Sequence, residues 1–196
     1  MKTLSQITED FKISKNTIRY TYKPNTIDDL TDIINSKYFE NKHYLNLTDI
    51  DVSEFTEFYK ADMYTCPNIF KDCEKVKIID ISGWKPKRLE QTACMFEGLS
   101  NLTKIIGIEY LNVSNVSNMS SMFAKCEELE YLDVSHWNVQ SVIRFYSTFK
   151  KCKKLKIDGL ENWNVNMKNV VDTSDMFREC NKSIIPSWYR LKTPKH

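Results

Sequence analysis

Apolar side chains return along the chain at a nearly fixed interval. Phe70, Phe96, Phe123, Phe149 and Phe177 are separated by 26, 27, 26 and 28 residues. Other columns travel with them. Ile69, Met95, Met122, Thr148 and Met176 precede the phenylalanines, and Cys73, Leu99, Cys126, Cys152 and Cys180 stand three residues after them. Six after stand Val76, Leu102, Leu129, Leu155 and Ser183. Trp84, Trp137 and Trp163 follow their phenylalanines by fourteen residues, with Tyr110 at that place in the intervening repeat. In the best unit Leu129, Leu132 and Val134 have the spacing of a short strand with inward side chains, entered from a turn. Met119, Met122, Phe123 and Cys126 share one helical face, which predicts a short helix over 119–126. Each unit then reads as strand, Trp-Asn turn and short returning helix. So small a unit cannot bury its own apolar edge, and neighbours are expected to stack into one shared core.

Outside the array the pattern changes. Ile18-Arg19-Tyr20-Thr21-Tyr22 alternates as a strand does, and Pro24 ends it. Thr26 is placed to N-cap a helix with Asp29 three residues on, and Ile27, Leu30, Ile33 and Ile34 form its apolar face to about Ser36. Residues 1–44 are thus predicted to be an N-terminal cap of strand plus amphipathic helix. Ile50-Asp51-Val52-Ser53 echoes Leu132-Asp133-Val134-Ser135, so a degenerate first repeat is expected from residue 45, with 45–185 making about five coils. Pro186, Trp188 and Tyr189 are placed to close the last coil, and 186–196 form a closing segment whose tail, Leu191 to His196, is expected to fray.

Leu129 to Trp137, Val113-Ser114-Asn115-Val116-Ser117-Asn118-Met119-Ser120-Ser121-Met122-Phe123 and Cys126 together match the unit L-x-x-L-D-[LV]-S-x-W-[DN]-[TV]-S-x-V-x-x-M-x-x-M-F-x-x-C. On those residues the chain resembles the BspA-like leucine-rich-repeat bacterial surface proteins, over about residues 45–183. Lys23-Pro24-Asn25-Thr26 ahead of an amphipathic helix is also similar to the opening of many of them. The predicted fold class is accordingly α/β, a leucine-rich-repeat-like right-handed solenoid of short parallel strands and short helices. The resemblance implies adhesins or protein-binding modules. Departures from the pattern are Lys85-Pro86-Lys87-Arg88 in place of a polar turn, Asp158 where a core aliphatic belongs, and two extra residues between Trp163 and Phe177.

Composition narrows the function classes. Lys and Arg number 28 and Asp and Glu 26, so a net charge of +2 gives neither a polycation nor an acidic disordered tail. The four glycines are Gly83, Gly98, Gly107 and Gly159, the closest pair nine residues apart, which excludes both the dinucleotide G-x-G-x-x-G and the phosphate-binding G-x-x-x-x-G-K loops. No apolar run reaches the ~18 residues of a membrane helix. Met1 to Asp10 lacks the apolar core of a signal peptide, so a cytoplasmic location with reduced thiols is expected.

Catalytic and metal chemistry find little support. Cys73, Cys126, Cys152 and Cys180 occupy one column with no C-x-x-C pair, as expected of buried packing thiols rather than zinc ligands. Cys66 and Cys94 lie outside that column and are the candidates for a reactive thiol. His43, His136 and His196 have no nucleophile motif near them. Asp28-Asp29 reads as a helix start and Glu127-Glu128 as a solvated turn. No enzyme, cofactor or metal site is expected.

Two surfaces are candidates for binding. On the strand face, with Leu132 and Val134 inward, Tyr131, Asp133 and Ser135 point out. The equivalents are Ile78, Asp80 and Ser82, then Lys104, Ile106 and Ile108. Ile78, Ile106 and Tyr131 are expected to form an exposed apolar strip rimmed by Asp80 and Asp133, with Lys104 beside it. The second surface is basic: from Val134 to Ile157 there is no acid, while Arg144, Lys150, Lys151, Lys153, Lys154 and Lys156 contribute six positive charges. The expected function is non-catalytic binding of another protein or a ribonucleoprotein through a preformed surface, blocking or scaffolding it, for example as a bacterial or phage mobile-element-encoded inhibitor. The alternatives are a nucleic-acid binder using the 144–156 patch, and a surface adhesin whose export signal lies outside this sequence.

Overall fold

Residues 21–58 and 69–190 are described by a computed structural model of the chain. The predicted Ile18–Tyr20 part of the first strand, Cys66 and the Leu191–His196 tail lie outside the described residues.

The helix begins where its capping residues place it. Thr26 accepts a hydrogen bond from the Asp29 N–H, and the Asp29 carboxylate accepts one from the Thr26 N–H, both at 3.0 Å. Helix α1, Ile27–Glu40, outruns the expected end at Ser36 because Tyr38 continues the buried stripe of Leu30 and Ile34. Ahead of it, Tyr22 bridges in parallel to Ile50.

Strands β1 (Tyr44–Asn46), β2 (Ile78–Asp80) and β3 (Lys104–Ile106) form one parallel sheet in that order. Strands β4 (Tyr131–Asp133) and β5 (Lys156–Asp158) form a second. Leu45, Ile79, Ile105 and Leu132 put the central side chain of β1 to β4 into the core. Ile50, whose segment echoes Leu132 to Ser135, is not the strand centre of the degenerate first repeat: Leu45 pairs in register with Ile79, and Ile50 instead closes the turn after β1 by donating to the Leu47 carbonyl.

The expectation of a right-handed leucine-rich-repeat-like solenoid of strands and short helices is overturned on two counts. The strands do not run as one sheet but as separate sheets of three and two strands. The expected returning helices are turns. The N–H groups of Met119, Ser121, Phe123 and Lys125 donate to Arg144, Tyr146, Thr148 and Lys150 at 2.7–2.9 Å, while the alternate N–H groups of Met122, Ala124 and Cys126 fold back to Met119, Ser121 and Phe123. Every second backbone donor is thus committed to the neighbouring repeat. An α-helix, which needs each N–H for its own i−4 carbonyl, is impossible here. Left-handed residues recur to match: Ser121 and Lys125, Ser147 and Lys151, Asp175 and Glu179 all have φ between 55° and 65°.

Each sheet ends at a strand followed by a glycine bulge. Gly107 and Gly159, with φ of +88° and +83°, are inserted after β3 and β5, and a Cβ on either would lie 2.1–2.3 Å from the Cα of Ser82 or Ser135 in the preceding repeat. Elsewhere the turn after one strand donates forward to the next, as Leu47 N–H does to Asp80 O and Ile81 N–H to Ile106 O, both at 2.9 Å. Among the described residues the Gly107 bulge makes no such bond to Asp133. An inserted residue ends the ladder, as bulges do.

What crosses every repeat is side-chain stacking. Phe70, Phe96, Phe123, Phe149 and Phe177 lie face to face with successive centroids 5.4–5.6 Å apart. The thiols of Cys126, Cys152 and Cys180 donate to the carbonyls of Phe96, Phe123 and Phe149. The indole N–H groups of Trp84, Trp137, Trp163 and Trp188 donate to Leu47, Ile108, Val134 and Leu160 in the repeats before them. Tyr110 does not join this column. The Gly107 insertion passes the buried position to Leu111, whose N–H closes the turn onto Ile108, and leaves Tyr110 72% exposed.

Candidate functional site

The break between the sheets leaves a groove of about 610 Å³. One wall is Thr103, β3 and the 3-10 turn Ile108–Tyr110 that the Gly107 bulge pushes outward. The other is Glu130, β4 and His136. Glu130 N–H still reaches Thr103 O at 3.2 Å, and beyond that bond the strands part. Four residues expected on the strand face, Lys104, Ile106, Tyr131 and Asp133, come together in this groove.

The other two do not. Ile78 and Asp80 are each only 4% exposed, so the expected exposed strip does not extend onto β2. They lie in the middle strand, with Ile78 flanked in register by Tyr44 and Lys104 and Asp80 by Asn46 and Ile106. Asp80 accepts hydrogen bonds from the Tyr44 hydroxyl at 3.2 Å and from the N–H and hydroxyl of Ser82 at 2.9 and 2.7 Å, which satisfies a buried carboxylate. Ile108 is buried as well, carried inward by the bulge.

Hydrogen bonds hold the side chains of the β4 wall. The Tyr131 hydroxyl donates to the Asp158 carboxylate at 2.8 Å, fixing a ring that is 48% exposed. That hydrogen bond, aided by the charges of Asp158, Asp133 and Glu109, pushes the phenol up to about 12. Asp158 is therefore not a misplaced core residue. It sits in register with Asp133 on the outer face, and Leu160, one place beyond the inserted glycine, is the buried one. Asp133 folds back on the Ser135 hydroxyl and N–H at 2.6 and 2.9 Å, bonds that hold its carboxyl below the usual range. Among the described residues the carboxylates of Glu109 and Glu130 and the ammonium of Lys104 have no side-chain partner. Glu109, Tyr110, Glu130 and His136 were not singled out as binding residues by the repeat. Their signal is the extra residue at Gly107, visible when Ile105 to Leu111 is compared with Leu132 to Trp137.

The model of a family described as "Mycoplasma protein of unknown function, DUF285" matches residues 64–188, well over half of the chain. The chain belongs to the DUF285 family. That family is associated with BspA-like surface repeat proteins. No match was found among curated proteins or among solved structures.

The second candidate surface of this DUF285 chain is largely neutralised. Lys153 and Lys154 pair with Glu127 and Glu128 of the preceding repeat, each at 2.6 Å. Lys150 and Lys151 turn the other way, to Asp175 at 2.8 Å and Glu179 at 3.9 Å. The acids missing from the local sequence are supplied one repeat to either side. Arg144 and Lys156 are exposed, Arg144 at a bridge position between Asn118 and Asp172 and Lys156 on β5.

The remaining candidates are structural. Burial pushes the thiols of Cys73 and Cys180 up to about 12 and about 11 and raises those of Cys126 and Cys152 as well. Cys94, weighed as a reactive thiol, is disulfide-bonded. Among the described residues no group of three His, Cys, Asp or Glu side chains could hold a metal ion, and no helix is long and apolar enough to cross a membrane.

Proposed function

We propose that this chain is a non-catalytic protein-binding module whose contact surface is the groove between β3 and β4. The observation that carries the reading is a contrast in pairing. Across the repeats Lys87 pairs with Glu54, Lys125 with Glu97, and four further lysines with acids as described, whereas among the described residues Lys104, Glu109 and Glu130, gathered in this groove, have no such partner. Unpaired charges beside the exposed rings of Tyr110 and Tyr131, on a backbone already ordered, lose little entropy on meeting a partner. Binding would itself be the activity, blocking or scaffolding another macromolecule. The finer relation to BspA-like surface proteins, carried by Met122-Phe123 and Cys126, belongs to the same proposal.

Affinity capture from the native host with three baits tests it. Tyr110→Ala with Glu109→Gln is expected to lose the partners of the wild type, and Lys153→Ser with Lys154→Ser to keep them. The reverse result, with binding that weakens steeply as salt rises, would instead favour the nucleic-acid reading.

A second reading concerns location. A cytoplasmic site of action was the expectation from the amino-terminal residues, but the disulfide at Cys94 favours an oxidising compartment, where such bonds persist. Together with the family association it supports a surface module. Trapping free thiols during lysis and measuring intact mass decides: Cys94 blocked by the trap points to the cytosol, and Cys94 protected points to the surface.

A further inference from the structure

We infer that the occupant of the groove is an extended peptide segment rich in arginine or lysine. The inference rests on the groove being the contact surface and names the chemistry of what fills it.

Charge decides the class. Glu109 lies on the same wall as Lys104, and Glu130 and Asp133 lie on the other, while Lys156 and Asp158 beside Tyr131 add one charge of each sign, so the groove is net acidic on a chain whose overall charge is +2. Such a local reversal attracts cations and repels phosphate backbones. Asp133 already spends one oxygen on Ser135, and Glu109 and Glu130 hold the accepting capacity that remains. The bond from its hydroxyl to Asp158 orients the Tyr131 ring. The exposed faces of Tyr131 and Tyr110 can therefore take a guanidinium or ammonium by stacking while the carboxylates accept its N–H groups. The floor is apolar, with Ile106 half-buried between the two walls, and suits the methylene stems of the same side chains.

The test uses a fluorescein-labelled peptide of alternating Arg and Ser, about eight residues long so that it overhangs the three-residue strands of the walls and fills the groove in any register, and a Glu-Ser peptide of equal length. Anisotropy is read against the full chain at low and at physiological salt. The Arg-Ser peptide is expected to bind and the Glu-Ser peptide not to. Glu109→Gln with Glu130→Gln removes charge without changing shape and is expected to weaken binding about tenfold. Tyr110→Ala is expected to weaken it severalfold. Glu40→Gln, at the end of α1, is the control and should change little. Equal loss in the control would mean that only the general field is sensed, and would overturn the inference, as would failure of the Arg-Ser peptide to bind or preference for a single-stranded oligonucleotide. If the peptide fails while the groove variant still loses its captured partner, the groove remains the contact surface and its cationic specificity is refuted.

Discussion

Three alanine substitutions separate the two ways in which glycine builds this chain. At Gly98 the backbone has φ +81° but a Cβ would meet nothing within 4 Å, so Gly98→Ala tests left-handed strain alone. At Gly83 no positive φ is required, yet a Cβ would lie 2.1 Å from the Thr48 carbonyl oxygen, so Gly83→Ala tests collision with the neighbouring repeat. Gly159→Ala tests both, at φ +83° and 2.1 Å from the Ser135 Cα.

The left-handed conformation costs an L-residue about 1–2 kcal/mol, offset in part by ~0.4–1 kcal/mol of lost freedom in the unfolded chain, so Gly98→Ala should cost about 1 kcal/mol. Relieving the Gly83 collision means separating Gly83 from Thr48. That loosens the Trp84 N–H bond to Ile81 at 2.8 Å and its indole bond to Leu47 at 2.9 Å. At ~1 kcal/mol per bond the cost is about 2 kcal/mol. At Gly159 the bond from Val134 N–H to Asp158 O at 3.0 Å and the Trp163 indole bond to Val134 at 3.3 Å are exposed in the same way, and strain adds to them. About 3 kcal/mol results. Urea unfolding reads the series as midpoint shifts at constant slope; with m near ~2 kcal/mol per M the shifts are roughly 0.5, 1 and 1.5 M. If Gly159→Ala cost no more than Gly98→Ala, close approach of the repeats would not be what fixes glycine there, and the account of why the second sheet ends at β5 would fail.

The other predictions follow from the same contacts. Under alkylation at mildly alkaline pH, Cys73, Cys126 and Cys152 should stay unlabelled until the protein unfolds and Cys180, which is half-buried, should react slowly; rapid labelling of Cys126 in the folded protein would contradict its bond to Phe96. The Tyr131 phenol is pushed up to about 12 in the folded state, against ~10 when unfolded. Its contribution to stability is thus fully present below pH ~10 and lost as pH rises towards 12. Tyr131→Phe should reduce the slope of stability against pH in that window and remove one phenol's share of the late rise in phenolate absorbance, to which Tyr44 and Tyr189, both also raised, still contribute. Trp188→Ala deletes the indole that stacks on Trp163 at 6.4 Å and donates to Leu160 at 3.0 Å. Because Trp188 is only half-buried, the loss should be about 2 kcal/mol, below the 3–5 typical of a fully buried aromatic, as read from the urea midpoint.

How far the sequence reveals this fold depends on what each column controls. The phenylalanine, cysteine and tryptophan columns are set by side chains meeting the same side chains one repeat away, so their spacing carries over directly into stacked rings and indole bonds. The Thr26–Asp29 pair placed its helix for the same local reason. The 119–126 segment misled because apolar spacing reports which side chains share a face and is silent about where the backbone donors go. A 3–1–3 pattern fits a helix. It equally fits a chain whose alternate N–H groups reach the next repeat, and the left-handed residues Ser121 and Lys125 give no compositional warning, since neither is glycine. Gly98 at the place of Lys125 is the single hint.

The groove was half legible, and the half that was missed explains why it exists. Counting from Phe96 places Tyr110 fourteen residues on, where tryptophan stands in other repeats, and hides the insertion. Counting from the strand centre exposes it: Ile105 to Leu111 is six residues, Leu132 to Trp137 only five. The extra residue moves Tyr110 from core to surface, buries Ile108 and denies Asp133 its bond from the preceding turn. It therefore opens the space and supplies one aromatic wall of it in a single step. In repeat 149–177 the spacing from Phe149 to Trp163 is again fourteen, although Gly159 is inserted, because Phe149 to Ile157 is one residue shorter than Phe123 to Leu132. Two compensating changes leave the aromatic column intact and end the second sheet. A regular array of identical units would present one uniform ladder with every charge matched across it. In this chain the departure at Gly107 is where Glu109, Tyr110, Glu130 and Tyr131 meet.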